Sequence, residues 1–269
     1  MPLTKRSGTF PNAKKSLGQN FLIDKNIARK IVDAVPAKAG QTVLEIGPGR
    51  GILTECLLAK NLQVIAVELD SFYAEYLTDI FKNYTSFKLI HRDFLKIDLL
   101  QICKEPFHIV GNLPYSITSP VLFKLIQEKK LILSATLMMQ REVAERIIGV
   151  PRTKNYGILS VWVQAFASVR LVLKAPPDVF RPRPRVESAV IQLKWKNDAE
   201  QILKNDVYFL KLIKSAFQKR RKVLRNALKG FIPPEIQNAI HFDFARRAEE
   251  VPVEEWIMLS NRLQNMKRS

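Results

Sequence analysis

Cysteine and histidine are scarce in this chain. Its 269 residues hold two cysteines, Cys56 and Cys103, and three histidines, with neither CxxC spacing nor a histidine cluster. That argues against a zinc site, and no metal is expected. Two isolated thiols fit a reduced, cytoplasmic setting better than a disulfide framework. Long apolar runs are missing too. The longest, around Leu131 to Met139, is broken by Ser134 and Thr136, far short of the ~18 apolar residues of a spanning helix, so no membrane partner is expected. Residues 1–15 are basic but have no apolar core or small-residue cleavage site, so a basic arm that touches the substrate is expected in place of a secretory signal. Negative charge is the last shortage: 25 Asp and Glu face 43 Lys and Arg, giving a net charge of +18. Such an excess is unusual for an enzyme of small metabolites and points to a polyanionic partner, most simply nucleic acid.

What the chain does contain is an alternation of apolar strands with amphipathic helices. Asp24 is suited to cap a helix whose buried face is Ile27, Ile31, Val32 and Val35. Strands are expected at Thr42–Ile46, Val64–Val67, Lys88–Ile90, Phe107–Val110, Leu133–Met139, Val169–Leu173 and Ser188–Leu193, with helices between them. The alternation predicts an α/β fold with a parallel, helix-flanked sheet, and the last two strands permit an antiparallel edge. After Trp195 only helical periodicity remains. The reading therefore divides the chain into residues 1–195, a larger α/β domain with a basic arm, and residues 196–269, a small all-helical domain.

Three strand ends carry the chemistry of cofactor binding. Gly47-x-Gly49-x-Gly51 follows the first strand and lets backbone amides approach a ligand. It is shorter than the dinucleotide fingerprint, so a pyrophosphate is not its natural guest. Glu68 closes the second strand, where a carboxylate can accept bonds from ribose hydroxyls. Asp93 follows the third and can accept a bond from an adenine amine. An adenosine-type cofactor without pyrophosphate fits this order, and S-adenosylmethionine is the obvious one.

The fourth strand delivers Gly111-Asn112-Leu113-Pro114-Tyr115, ahead of Ser119-Pro120, which reads as a helix start. The amide of Asn112 can donate to and accept from a base edge, Pro114 stiffens the loop, and Tyr115 offers a stacking face. If the guest of this loop is the exocyclic amine of a base, whose lone pair is delocalised, two acceptors, the Asn112 oxygen and the carbonyl of Leu113 or Pro114, would pyramidalise and aim that amine without a strong base.

With these motifs in view, residues 14–24, 45–54, 67–70, 91–94, 111–117 and 180–193 together resemble the ribosomal RNA adenine dimethyltransferases. The resemblance is closest to the bacterial small-subunit enzymes whose loss gives kasugamycin resistance. It implies a Rossmann-like class I methyltransferase domain, S-adenosylmethionine as donor, and N6 of two adjacent adenosines near the 3′ end of 16S rRNA as acceptor. The small ribosomal subunit would be the partner and the protein a monomer. It also implies that Asn20 and Leu22 border the methionine end of the cofactor, that Gly47 approaches it by backbone, and that Phe180 sandwiches the target base with Tyr115. Between Lys214 and Gly230 lie seven basic residues and no acidic one. Arg220, Arg221, Lys222 and Arg225 there, with Arg181 and Arg183, are the expected phosphate contacts. Two alternatives stand beside this reading: a 23S rRNA adenine N6-methylase, and a binding-only assembly or transcription factor on the same fold.

Overall fold

The computed structural model describes residues 18–196, 201–219 and 221–266. It divides into two compact units: the described residues up to Arg141 with 171–194, and residues 142–170 with those from Trp195 onward.

The first unit begins with a two-residue strand, β1 (Phe21–Leu22), and then α1 (Lys25–Ala34). Asp24 caps α1 as expected, its carboxylate accepting the N–H groups of Asn26 and Ile27 at 2.8 and 2.9 Å. These are two of the four donors that a helix start leaves unpaired, and such a cap contributes about 1 kcal/mol. Ile31, Val32 and Val35 are buried beneath it.

Strands β2 (Thr42–Ile46), β3 (Gln63–Glu68), β4 (Phe87–His91), β5 (Phe107–Asn112) and β6 (Ile132–Gln140) alternate with α2 (Ile52–Ala59), α3 (Ser71–Ile80), α4 (Leu99–Ile102) and α5 (Thr118–Gln127). Val43 and Leu44 of β2, like Ile109 and Val110 of β5, are wholly buried although successive side chains point to opposite faces. Both faces are therefore covered, as parallel strands require. All neighbours from β4 to β6 pair in parallel. Beyond them come β7 (Ala167–Ala175), the short β8 (Phe180–Arg181) and β9 (Ser188–Trp195), of which β9 runs antiparallel to β6. The sheet order is β4-β3-β2-β5-β6-β9-β7. Strand order reverses between β2 and β5, and the crevice outside the carboxyl ends at such a switch is where open α/β sheets bind ligands.

One local expectation needs correction. Helix α5 starts at Thr118, with Ile117 before it and Tyr115–Ile117 forming a 3-10 turn, so Ser119-Pro120 does not begin it. Pro120 falls inside the first turn, where the N–H it lacks has no helical partner anyway. Strands β1 and β8 form a separate antiparallel ribbon with Leu22 opposite Phe180. Neither strand is visible as a periodic run.

The second unit gathers α6 (Arg141–Ile147, from residue 142), α7 (Ile158–Phe166), α8 (Asp206–Gln218), α9 (Leu224–Ala227), α10 (Pro234–Ala239) and α11 (Val253–Met266). The sequence reading assigns residues 142–170 to the first domain, whereas here they pack with the C-terminal helices. Aromatic burial accounts for this. Trp162 of α7 stacks on Phe209 of α8 with centroids 6.1 Å apart, and the Tyr156 hydroxyl donates to the Val251 carbonyl at 2.7 Å. No described helix is long and apolar enough to cross a membrane. No group of three or more potential metal ligands occurs among the described residues.

Candidate active site

The carboxyl ends of β2, β3, β4 and β5 open on one cleft. Asn20, Gly47, Glu68, Asp93, Asn112, Leu113, Pro114 and Tyr115 all line it, so eight of the expected site residues come together.

The glycine turn shapes one wall. Gly47 has φ +62°, and a Cβ built on it would meet no atom within 4 Å. It opens on the cleft, and any side chain there would fill ligand space. Gly49, at φ +55°, is glycine for a second reason: a Cβ would lie 2.9 Å from the Phe21 ring. That ring also carries the Arg50 guanidinium 4.8 Å above it.

Glu68 ends β3 almost fully buried. One carboxylate oxygen accepts the Gly49 N–H at 3.0 Å and the other the Asp70 N–H at 2.8 Å. Burial raises its pKa above the ordinary carboxylate range, and these backbone bonds oppose the rise. Glu68 thus ties the glycine turn to the end of β3 and keeps lone pairs for a ligand. Asp93 is held by its own turn, Oδ1 accepting the Leu95 N–H at 2.9 Å.

Asn112 ends β5. Its Nδ2 donates to the backbone carbonyl of Asn20 at 2.9 Å. A carbonyl can only accept, so this bond settles which end of the amide is nitrogen and leaves Oδ1 as the acceptor at the cleft. The Leu113 N–H donates to Met138 at 2.9 Å, and the Pro114 carbonyl accepts the Ile117 N–H at 3.1 Å. Tyr115 is half-buried, with its hydroxyl 2.8 Å from Ser188 Oγ. Burial raises its pKa above the usual phenol value, and the Ser188 bond opposes this.

Leu22 and Phe180 stand elsewhere. Both are buried in the hydrophobic core, Phe180 with no exposed surface, because the β1–β8 ribbon turns their side chains inward among Ile31, Val43 and Val190. Phe180 therefore presents no stacking face to the cleft in this structure. Arg181 donates to the Phe180 carbonyl at 2.8 Å, and Arg183 pairs with Asp178 at 3.1 Å on the surface. In the second unit, Arg221, Lys222 and Arg225 are exposed, and Arg225 donates to Asn238 Oδ1 at 2.9 Å. Arg220 and the N-terminal arm lie outside the described residues.

Sequence reasoning passed over Gln19, Asp70, Phe94 and Ser188. Gln19 Nε2 donates to Asp70 Oδ2 at 3.1 Å, anchoring the 18–22 segment to the N-cap of α3. Phe94 lines the cleft beside Asp93. Asp70 before a helical run was readable as a cap; nothing local marks Ser188. An open glycine cradle with carboxylates at two successive strand ends fits an adenosine-type cofactor.

Comparison with known proteins gives the family. The family model described as ribosomal RNA adenine dimethylase matches residues 10–265. A Francisella tularensis subsp. novicida protein named ribosomal RNA small subunit methyltransferase A is 41% identical over 254 residues, covering 93% of this chain and 97% of its own. Among solved structures, a dimethyladenosine transferase from Plasmodium falciparum aligns with TM-score 0.78 at 26% identity, over 92% of this chain and 98% of its own. The 23S rRNA methyltransferase ErmE aligns with TM-score 0.70, also at 26% identity, over 91% and 100%. With a family model spanning nearly its whole length and a relative 41% identical over 93% of it, the chain belongs to the ribosomal RNA adenine dimethylase family.

Proposed function

We propose that the protein transfers methyl groups from S-adenosylmethionine to N6 of two adjacent adenosines near the 3′ end of 16S rRNA, giving N6,N6-dimethyladenosines. It does so as a monomer in the cytoplasm, acting on the small ribosomal subunit. The observation that carries this reading is the bond from Asn112 Nδ2 to the Asn20 carbonyl. The name of the 41% identical relative supports the choice of subunit.

Glu68 holds the ribose hydroxyls and Asp93 the adenine amine of the cofactor, while Asn20 and the Gly47 backbone border its methionine end. When bound, the cofactor supplies a methyl group activated by its sulfonium. The chain's own residues do the rest. Asn112 Oδ1 accepts one N–H of the target amine, and the Leu113 carbonyl accepts the other, since the Pro114 carbonyl already accepts from both the Ile117 N–H and the Thr118 hydroxyl. The two bonds draw N6 out of the ring plane and aim its lone pair. Tyr115 stacks on the base, its ring fixed by Ser188 and its phenol kept neutral. Phe180 acts from the core, holding the strand that carries Leu22.

Reaching N6 requires an extruded base, which an unpaired loop supplies at least cost. Arg181, Arg183, Arg221, Lys222 and Arg225, with Arg220, contact phosphates. Transfer of tritiated methyl groups onto separate unmethylated small and large subunits tests the proposal. Label in two adjacent adenosines of the small subunit is the expected result. Label confined to the large subunit would favour the 23S methylase, and none in either a binding-only factor.

A further inference from the structure

A second, smaller void lies beside the cleft. Its walls include Glu45, Gly47, Arg50 and Asn112, and it measures about 20 Å³, room for one water molecule. Glu45 sits on β2 opposite Val110 of β5. Side chains alternate along a strand, so Glu45, Val110 and Asn112 share one face of the sheet. Glu45 is 1% exposed. The Thr54 hydroxyl donates to its Oε2 at 2.6 Å, and its other oxygen has no hydrogen-bond partner among the described residues. A buried carboxyl with one uncommitted oxygen, on a water-sized void shared with the residue that holds the target amine, is more than packing requires.

We propose that Glu45 is the internal proton acceptor of the methyl-transfer reaction, reached from the Asn112 side through one water in this void. The inference rests on the methyl-transfer reading above. Each time N6 gains a methyl group it must release one proton. That proton bonds to the water as the N6–H bond breaks, and the water's own proton passes to Glu45, leaving a neutral carboxylic acid. Exchange with solvent then restores the carboxylate. Asn112 and the Leu113 carbonyl cannot do this, because an amide and a peptide group are too weakly basic to keep a proton.

The surroundings suit the role. Burial pushes the Glu45 carboxyl up to about 8, the Thr54 bond works against that, and Glu68 on β3 adds to it. Arg50 faces the same void from the turn before α2, and Cys56 on α2 feels the Glu45 charge. A proton acceptor is most effective when its pKa lies near the working pH.

The test follows single-turnover methylation of unmethylated small subunits against pH, for wild type and Glu45→Gln. Calorimetry gives cofactor affinity, and infrared difference spectroscopy follows the carboxylic-acid band of the full chain. The wild-type rate should rise with pH through an inflection near pH 8 and level off above it, as that band disappears. Glu45→Gln should lose both the rise and the band and slow by roughly 10²-fold, with cofactor affinity within about twofold. Thr54→Val, which removes the bond opposing the high pKa, should move the wild-type inflection to higher pH and serves if Glu45→Gln fails to fold. A Glu45→Gln protein that keeps the wild-type rate and pH rise would overturn the proposal, as would an inflection unmoved by Thr54→Val. Wild type that transfers no methyl group at any pH would instead remove the underlying reading, and this inference with it.

Discussion

Replacing Glu68 with Gln separates the two tasks of that carboxylate. Its oxygens hold the Gly49 and Asp70 amides at 3.0 and 2.8 Å from an almost fully buried position. Glutamine has one acceptor oxygen. Whichever amide it keeps, its NH2 group then faces the other N–H, donor against donor, and the ribose loses an acceptor as well. Losing one charge-assisted hydrogen bond costs ~1.5–3 kcal/mol. Applied to the turn, that lowers the melting midpoint by roughly 3–12 °C. Applied to the ribose, it raises the cofactor dissociation constant by roughly 10- to 150-fold. Thermal unfolding without ligand and calorimetric titration with S-adenosylmethionine measure the two effects independently. A lower midpoint with unchanged affinity would mean that Glu68 is only a strut of the glycine turn. If neither quantity changed, Glu68 would have neither task.

Asn112→Ala should lower turnover by at least 10²-fold, on the order of a lost transition-state hydrogen bond, while calorimetry finds cofactor affinity little changed; an equal loss of both would contradict the division of labour. Phe180→Ala should cost about 3–5 kcal/mol of stability as a core truncation, seen in denaturant unfolding; a variant of native stability that accumulates monomethyladenosine would return Phe180 to the base-stacking role. Replacing Arg220, Arg221 and Lys222 with Ala should flatten the salt dependence of RNA binding by roughly 0.7–0.9 in log–log slope for each phosphate no longer neutralised, an effect that filter binding across salt concentrations would reveal or deny. Because Glu45 binds its proton more tightly folded than unfolded, it favours the folded state at low pH. That advantage should be lost as pH rises from about 4.5 to about 8. The stability of wild type relative to Glu45→Gln, followed by urea unfolding at several pH values, should fall across that window and stay flat above it.

The α/β layers and the strand-end chemistry were legible because both are local. Largely apolar runs such as Val43–Ile46 and Phe107–Val110, interrupted only by Glu45 and His108, name their strands, and Gly47, Glu68, Asp93 and Asn112 stand at the ends where such a sheet gathers ligands. What the sequence concealed depends on distant partners. Two residues, Phe21 and Leu22, make a strand only because Arg181 and Phe180 lie opposite. That same pairing turns the Phe180 ring into the core, which no spacing announces. Residues 142–170 join the C-terminal helices because Trp162 finds Phe209 and Tyr156 finds Val251, partners about 50 and 95 residues away in sequence. Ser188 reads as an ordinary strand residue until Tyr115 is seen bonded to it.

On the function proposed above, Asn112, oriented by the Asn20 carbonyl, directs methyl transfer to an exocyclic adenine amine. Mass spectrometry of nucleosides from nuclease-digested small-subunit rRNA, taken after reaction with the wild-type protein and S-adenosylmethionine, tests it most directly. The account predicts N6,N6-dimethyladenosine at two adjacent positions, formed by way of the monomethyl nucleoside. Methylation at a ring carbon, a ribose hydroxyl or another base would contradict it.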